Sequence, residues 1–123
     1  MNSQPLILVI EHDRLIGNLF RTALAEEGYA VQVAGTDREA LHHLQGSTPA
    51  LILLDYDHPS LHDDLVIARL QAQATLQAIP VVVVSSYTRL PTSIEIHAQA
   101  IIAKPCNLTR LLGLIACLVP FAT

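Results

Sequence analysis

Four short groups of polar residues, each at the end of an apolar run, carry the side chains that acyl-phosphate chemistry needs: Glu11-His12-Asp13, Asp55, Ser85 and Lys104-Pro105. Acids from two such groups can hold a hard divalent cation through oxygen ligands. A hydroxyl and an ammonium can take the remaining oxygens of a phosphoryl group. Asp55 is then the candidate nucleophile, because a carboxylate can accept a group covalently. Each group also has a plainer reading. Asp55 alone could be a helix cap or a solvated acid, Ser85 could cap the loop after it, and Lys104 could be a surface lysine.

The elements that must position these groups are legible from hydrophobic pattern. The run Ala50-Leu51-Ile52-Leu53-Leu54 reads as a strand buried on both faces, ending on Asp55, and Pro59 stops any regular continuation. Leu6-Ile7-Leu8-Val9-Ile10 reads as a second such strand. Ile16, Leu19, Phe20, Ala23 and Leu24 recur at helical spacing until Gly28, a natural stop. Residues 29–34 alternate as a strand. Thr36-Asp37-Arg38-Glu39 is a capping box for a helix through Ala40, Leu41 and Leu44, closed by Gly46. A third helix is predicted from residues 62–64 through Val66, Ile67 and Leu70 to about Ala74. Val81-Val82-Val83-Val84-Ser85 is the most β-like run of the chain. A short helix over residues 92–99, a fifth strand over 100–103 and a helix from Asn107, its cap, to about Val119 complete the pattern. Strands alternating with helices mean a parallel sheet covered on both faces. The expected fold is a single α/β domain over residues 1–123, a three-layer sandwich around five strands in flavodoxin-like order 2-1-3-4-5. In such sheets ligands sit beyond the carboxyl ends of the strands, where all four polar groups fall.

Glu11, Asp55 with Pro59 four positions on, Ser85 after its apolar strand and Lys104-Pro105 occur in one order over nearly the whole chain. In that order the sequence resembles the receiver domains of two-component response regulators. The resemblance implies that Asp55 accepts a phosphoryl group from a histidine kinase or phosphotransfer protein, with output through protein contacts. It implies Mg²⁺ held by the acids after the first strand, Asp55 and the backbone carbonyl of Asp57. It also implies that Ser85 and Lys104 read the phosphoryl group and that Lys104-Pro105 is a cis peptide. Several positions depart from the family pattern. His12 stands where a second acid is usual, and Asp13, one residue later, reads more naturally as a helix cap. Ile101 replaces the switch aromatic, His97 a small residue and Cys106 a phenylalanine. The segment between Ser85 and Lys104 is about one helical turn short. A module that binds partners without phosphorylation is therefore the alternative. His12 could instead join Asp55 and His58 or His62 around a softer metal, or be a neutral filler. A small metal-dependent hydrolase using His12 and Asp55 is a further alternative, but no substrate pocket is legible for it, and a non-enzymatic role is expected.

Bulk properties narrow the partners. The chain has 123 residues, is 51% apolar and carries a formal charge of −4. That excludes general attraction to nucleic-acid phosphates and fits a domain with a real core. Cys106 and Cys117, if on one helix, lie about 16 Å apart at ~1.5 Å per residue, too far for a disulfide, which suggests a reducing cytoplasm. No signal peptide is expected at the start of the sequence, and residues 111–119 are too short a run to span a membrane. The pair His42-His43 reads as a solvated helix face. On the last helix Leu108, Leu111, Leu112, Ile115 and Val119 form the expected core stripe. Arg110, Leu114, Cys117 and Phe121 form an apolar outer stripe. Together with Ile101 and the short fourth helix, Leu114, Cys117 and Phe121 are candidate residues for a partner or homodimer surface. The competing reading is a C-terminus frayed by Pro120.

Overall fold

A computed structural model describes residues 4–57, 63–87 and 89–121. The three most apolar strands, β1 (Leu6–Ile10), β3 (Leu51–Asp55) and β4 (Val81–Ser85), take the middle of one parallel sheet. β2 (Ala30–Ala34) and β5 (Ala100–Ala103) lie at its edges, giving the order β2-β1-β3-β4-β5. Pleating then sorts alternate residues to opposite faces. Ile7, Val9, Leu51, Leu53, Val82 and Val84 pack with Phe20 and Leu24 of α1 (Arg14–Glu26) and Leu111 and Ile115 of α6 (Leu108–Leu118). Leu8, Ile10, Ile52, Leu54, Val81 and Val83 face α2 (Asp37–Gly46), α3 (Asp63–Ala72), α4 (Ala74–Gln77) and α5 (Thr92–His97). This is the expected three-layer, flavodoxin-like sandwich. Its register sets Ile10 beside Leu54 and Asp55 beside Val84, so β1, β3 and β4 finish along one edge.

Local signals act as their chemistry predicts. Asp13 caps α1, its Oδ1 accepting from the amides of Leu15 at 2.9 Å and Ile16 at 3.2 Å. Gly28 ends that helix at φ +103°, a conformation that glycine adopts without strain. Gly17 lets α1 lie close over β2, since a Cβ there would come within 2.9 Å of Val33 Cγ1. Thr36 Oγ1 accepts from the Glu39 amide, while Glu39 Oε2 accepts from the amide of Gly35, one residue before the cap. Asn107 Oδ1 caps α6 through the Arg110 amide.

Two expectations are corrected. The third helix does not run unbroken to Ala74; it stops at Ala72, and α4 restarts after an extended Gln73. Leu76 lies six residues beyond Leu70, off the stripe that Val66, Ile67 and Leu70 share, and the break turns Leu76 into the same cluster. The last helix also differs from its helical wheel. Leu111, Ile115 and Val119 are buried, but Leu108 is 42% exposed at the first turn. The outer stripe is not continuous. Leu114 is partly buried against the core, Cys117 is exposed, and Phe121 leaves the stripe because α6 ends at Leu118, before Pro120. Its ring stacks on Tyr29 with centroids 4.6 Å apart, while Tyr29 Oη donates to the Val119 carbonyl at 3.0 Å. Both cysteines are free, and Cys106 precedes α6 rather than lying along it. Among the described residues no helix is long and apolar enough to cross a membrane.

Candidate functional site

Glu11 follows β1 directly and is 2% exposed, because its amide continues the sheet by donating to the Ala34 carbonyl at 2.9 Å. Glu11 Oε1 accepts from the Asp13 amide at 3.0 Å. Oε2 is buried, and among the described residues no N–H or O–H donor reaches it. Asp55, the last residue of β3, is 6% exposed and faces Glu11. Burial first, and then the facing Asp55 carboxylate, push the Glu11 carboxyl up to about 8, against the smaller opposing effects of the Asp13 amide and Lys104. At neutral pH, Glu11 therefore tends to hold a proton where a cation could sit.

Lys104 arrives from the end of β5 and closes the other side. Its Nζ donates to both Asp55 oxygens, at 3.0 and 2.9 Å, and to Asp57 Oδ2. Burial alone would depress the ammonium, but the bonds to Asp57 and Asp55 outweigh it and hold Lys104 above the ordinary lysine range. Asp57 responds in the opposite direction. Burial would raise its carboxyl, while Lys104 and the Ser86 amide and hydroxyl hold it below the usual carboxylate range. Asp57 Oδ1 accepts from the Ser86 amide at 2.8 Å and Ser86 Oγ at 2.9 Å.

The structure thus brings together Glu11, Asp55 and Lys104 from three strand ends. Ser85 lies at the same edge, 1% exposed, but its hydroxyl serves the backbone: it donates to the Tyr56 carbonyl at 2.6 Å and accepts from the Tyr87 amide at 3.0 Å. His12 is exposed, with Nδ1 3.8 Å from Glu11 Oε1. Asp13 points to its own helix and not to the pocket. The peptide Lys104-Pro105 is cis. Ile101 lies on β5, 47% exposed. His58, His62 and Pro59 fall outside the described residues, and among the described residues no three His, Cys, Asp or Glu side chains form a metal group. Glu11 and Asp55 nonetheless suit Mg²⁺. It needs only one or two carboxylates, with water and phosphate oxygens as further ligands, and Glu11 Oε2 offers a lone pair that no donor among the described residues takes.

Sequence reasoning missed the side chains of Asp57 and Ser86. The signal was present: residues i and i+2 of an extended segment point the same way, so Asp55-Tyr56-Asp57 presents two acids to one side. It also missed Leu15 and counted Leu19 in the apolar stripe of the first helix; the two lie one helical turn apart on α1, just past the Asp13 cap, and are 76% and 67% exposed.

Comparison with known proteins agrees with this geometry. Residues 7–116 match the family model of the response regulator receiver domain. The response regulator MprA of Mycolicibacterium vanbaalenii is 31% identical over 110 residues, covering 87% of this chain and 47% of that protein. The chain therefore spans about half the length of the curated relatives it matches. A receiver domain from Methanospirillum hungatei superposes with TM-score 0.78 at 28% identity, covering 92% of this chain and 91% of that one. The response regulator TrrA of Thermotoga maritima, in complex with Mg²⁺-BeF, has the same fold with TM-score 0.80 at 23% identity, covering 94% of this chain and all of that one. The family match makes the chain a receiver module of the two-component type, and it belongs to the response regulator receiver domain family.

Proposed function

We propose that Asp55 accepts a phosphoryl group from the phosphohistidine of a histidine kinase or phosphotransfer protein. The supporting observation is the Lys104 ammonium bonded to both oxygens of a nearly buried Asp55, with Glu11 behind it. An Asp55 oxygen attacks phosphorus, the N–P bond breaks, and the electron pair leaves with the imidazole, which then binds a proton. Mg²⁺, held by Glu11, Asp55 and the carbonyl of Asp57, would neutralise charge on the phosphoryl oxygens. Lys104 orients Asp55 beforehand and takes a phosphoryl oxygen afterwards. Ser85 takes another once it releases the Tyr56 carbonyl. Leu15 and Leu19 offer the donor protein an apolar footing at the pocket rim.

Output passes through protein contacts on the face of α5, β5 and α6, where Ile96 and Ile101 are exposed and a second copy of the chain could dock. The assembled Glu11–Asp55–Lys104 pocket favours this reading over a module that binds without phosphorylation. The test is intact-mass measurement after incubation with acetyl phosphate and Mg²⁺, for wild type and Asp55→Asn. Incorporation is expected only in wild type; incorporation in both, or in neither, contradicts Asp55 as the acceptor.

A further inference from the structure

Lys104 is the only lysine in the chain, and one ammonium must serve an acceptor whose charge changes. When Asp55 takes a phosphoryl group, one of its oxygens becomes the bridging oxygen and loses most of its charge. A lysine held by Asp55 alone would lose a partner at that moment. Lys104 has another holder. Its Nζ also donates to Asp57 Oδ2, and Asp57 is itself pinned by the Ser86 amide at 2.8 Å and the Ser86 hydroxyl at 2.9 Å on its other oxygen. The chain Ser86–Asp57–Lys104 ties together the segments that follow β4, β3 and β5, and it does not pass through Asp55. Lys104 and Asp57 are each about three-quarters buried, with side chains 24% and 23% exposed, so the pair is partly shielded from water. Charge-assisted bonds in such a setting are short and directional.

We propose that the Asp57 carboxylate is a positioning residue that anchors Lys104 independently of Asp55, so that the ammonium keeps its place when the acceptor is modified. The role deepens the phosphoacceptor reading, but the anchoring itself can be measured without any phosphoryl transfer. Asp57 does not take over the place of the acid missing at position 12, because both of its oxygens are engaged on the lysine side of the pocket.

The experiment uses protein labelled with ¹⁵N-lysine, in which Lys104 gives the single side-chain ammonium resonance. Water exchange of that ammonium is compared in wild type, Asp55→Asn, Asp57→Ala and Ser86→Ala. Losing one charge-assisted bond is expected to speed exchange about tenfold in Asp57→Ala. Asp55→Asn, which loses one bond and leaves the other to a neutral oxygen, should speed exchange by a similar factor, while the Asp57 bond still keeps the ammonium from exchanging freely. Ser86→Ala, which changes no charge, should fall between wild type and Asp57→Ala and keeps the test usable if Asp57→Ala misfolds. Exchange that is fast in Asp55→Asn but unchanged in Asp57→Ala and Ser86→Ala would overturn the proposal. So would a freely exchanging ammonium in wild type. If wild type takes up no phosphoryl group yet Asp57→Ala frees the ammonium, the anchor stands and the acceptor role of Asp55 falls. With acetyl phosphate as donor, Asp57→Ala should lower the saturating rate several-fold and leave half-saturation unchanged; the reverse split contradicts a positioning role.

Discussion

At the ends of β1 and β3, Glu11 and Asp55 are 2% and 6% exposed, and the Lys104 ammonium bonds Asp55 directly. Along the other edge of the same molecule, Ile96 on α5 and Ile101 on β5 stand 76% and 47% exposed. In the first region the Asp13 amide holds Glu11, and the Lys104 ammonium holds Asp55 and Asp57. In the second, large side chains meet water at an edge strand and on a six-residue helix. Ser85 lies between them, and its hydroxyl is bonded to the Tyr56 carbonyl and Tyr87 amide rather than to anything on β5. The contrast indicates that the pocket around Asp55 and the exposed face of α5 and β5 are only loosely connected, with the pocket built more tightly.

The largest expected effect lies in the tight region. Lys104→Met should slow phosphorylation by acetyl phosphate about 10²-fold, the usual cost of removing one donor from a charge-stabilising site. Ile101→Tyr should leave that rate within about twofold, since the residue lies outside the pocket. A comparable loss in both variants would erase the distinction between the regions.

Next in size is the cation. Glu11→Gln should weaken Mg²⁺ about tenfold in calorimetric titration, because one of two buried carboxylates is lost. Glu11 also makes binding depend on pH. Its carboxyl stands at about 8 in the folded chain against 4.5 unperturbed, so the folded state binds the extra proton between those values. Stability without cation is therefore full below about 4.5, falls as pH rises through that window by at most about 1.4 kcal/mol per unit, and levels above about 8. Denaturation in urea should show this fall in wild type and lose it in Glu11→Gln. Mg²⁺ affinity should rise across the same window as the proton leaves.

Smaller gains and losses sharpen the picture. His12→Asp places a hard oxygen ligand beside Glu11 and should tighten Mg²⁺ several-fold in the same titration. Equal or weaker binding would show that residue 12 does not face the cation. Leu19→Glu should slow transfer from a phosphohistidine protein several-fold while leaving acetyl phosphate transfer unchanged. Equal slowing with both donors would place Leu19 in the fold rather than in docking.

The fold was legible where burial on both faces left no ambiguity. Strands β1, β3 and β4 are apolar runs of five residues or nearly so, and each ends at the residue expected. The capping roles of Asp13, Thr36 and Asn107 followed from residue type alone. The break at Gln73 was not legible, because glutamine favours helix and only the demand to bury Leu76 interrupts it. Phe121 was misplaced because a helical wheel assumes that the helix continues, and the stacking on Tyr29 is a contact across more than ninety positions of chain. Glu11, Asp55 and Lys104 could be placed together from strand ends. The i, i+2 spacing of Asp55 and Asp57 pointed to a second acid on the same side, but its partners Ser86 and Lys104 come from other strand ends, which no local spacing encodes.

The separation of acceptor from output is tested most directly by amide correlation spectra of ¹⁵N-labelled protein, recorded with Mg²⁺ before and after adding beryllium fluoride as a phosphoryl mimic. Large shifts are expected at Glu11, His12, Asp55, Tyr56, Asp57, Ser85, Ser86, Tyr87 and Lys104, and clearly smaller ones at Ile96, Ile101 and the outer residues of α6. Shifts of equal size running through β5 into α6 would contradict weak coupling, and a spectrum unchanged around Asp55 would contradict the acceptor pocket itself.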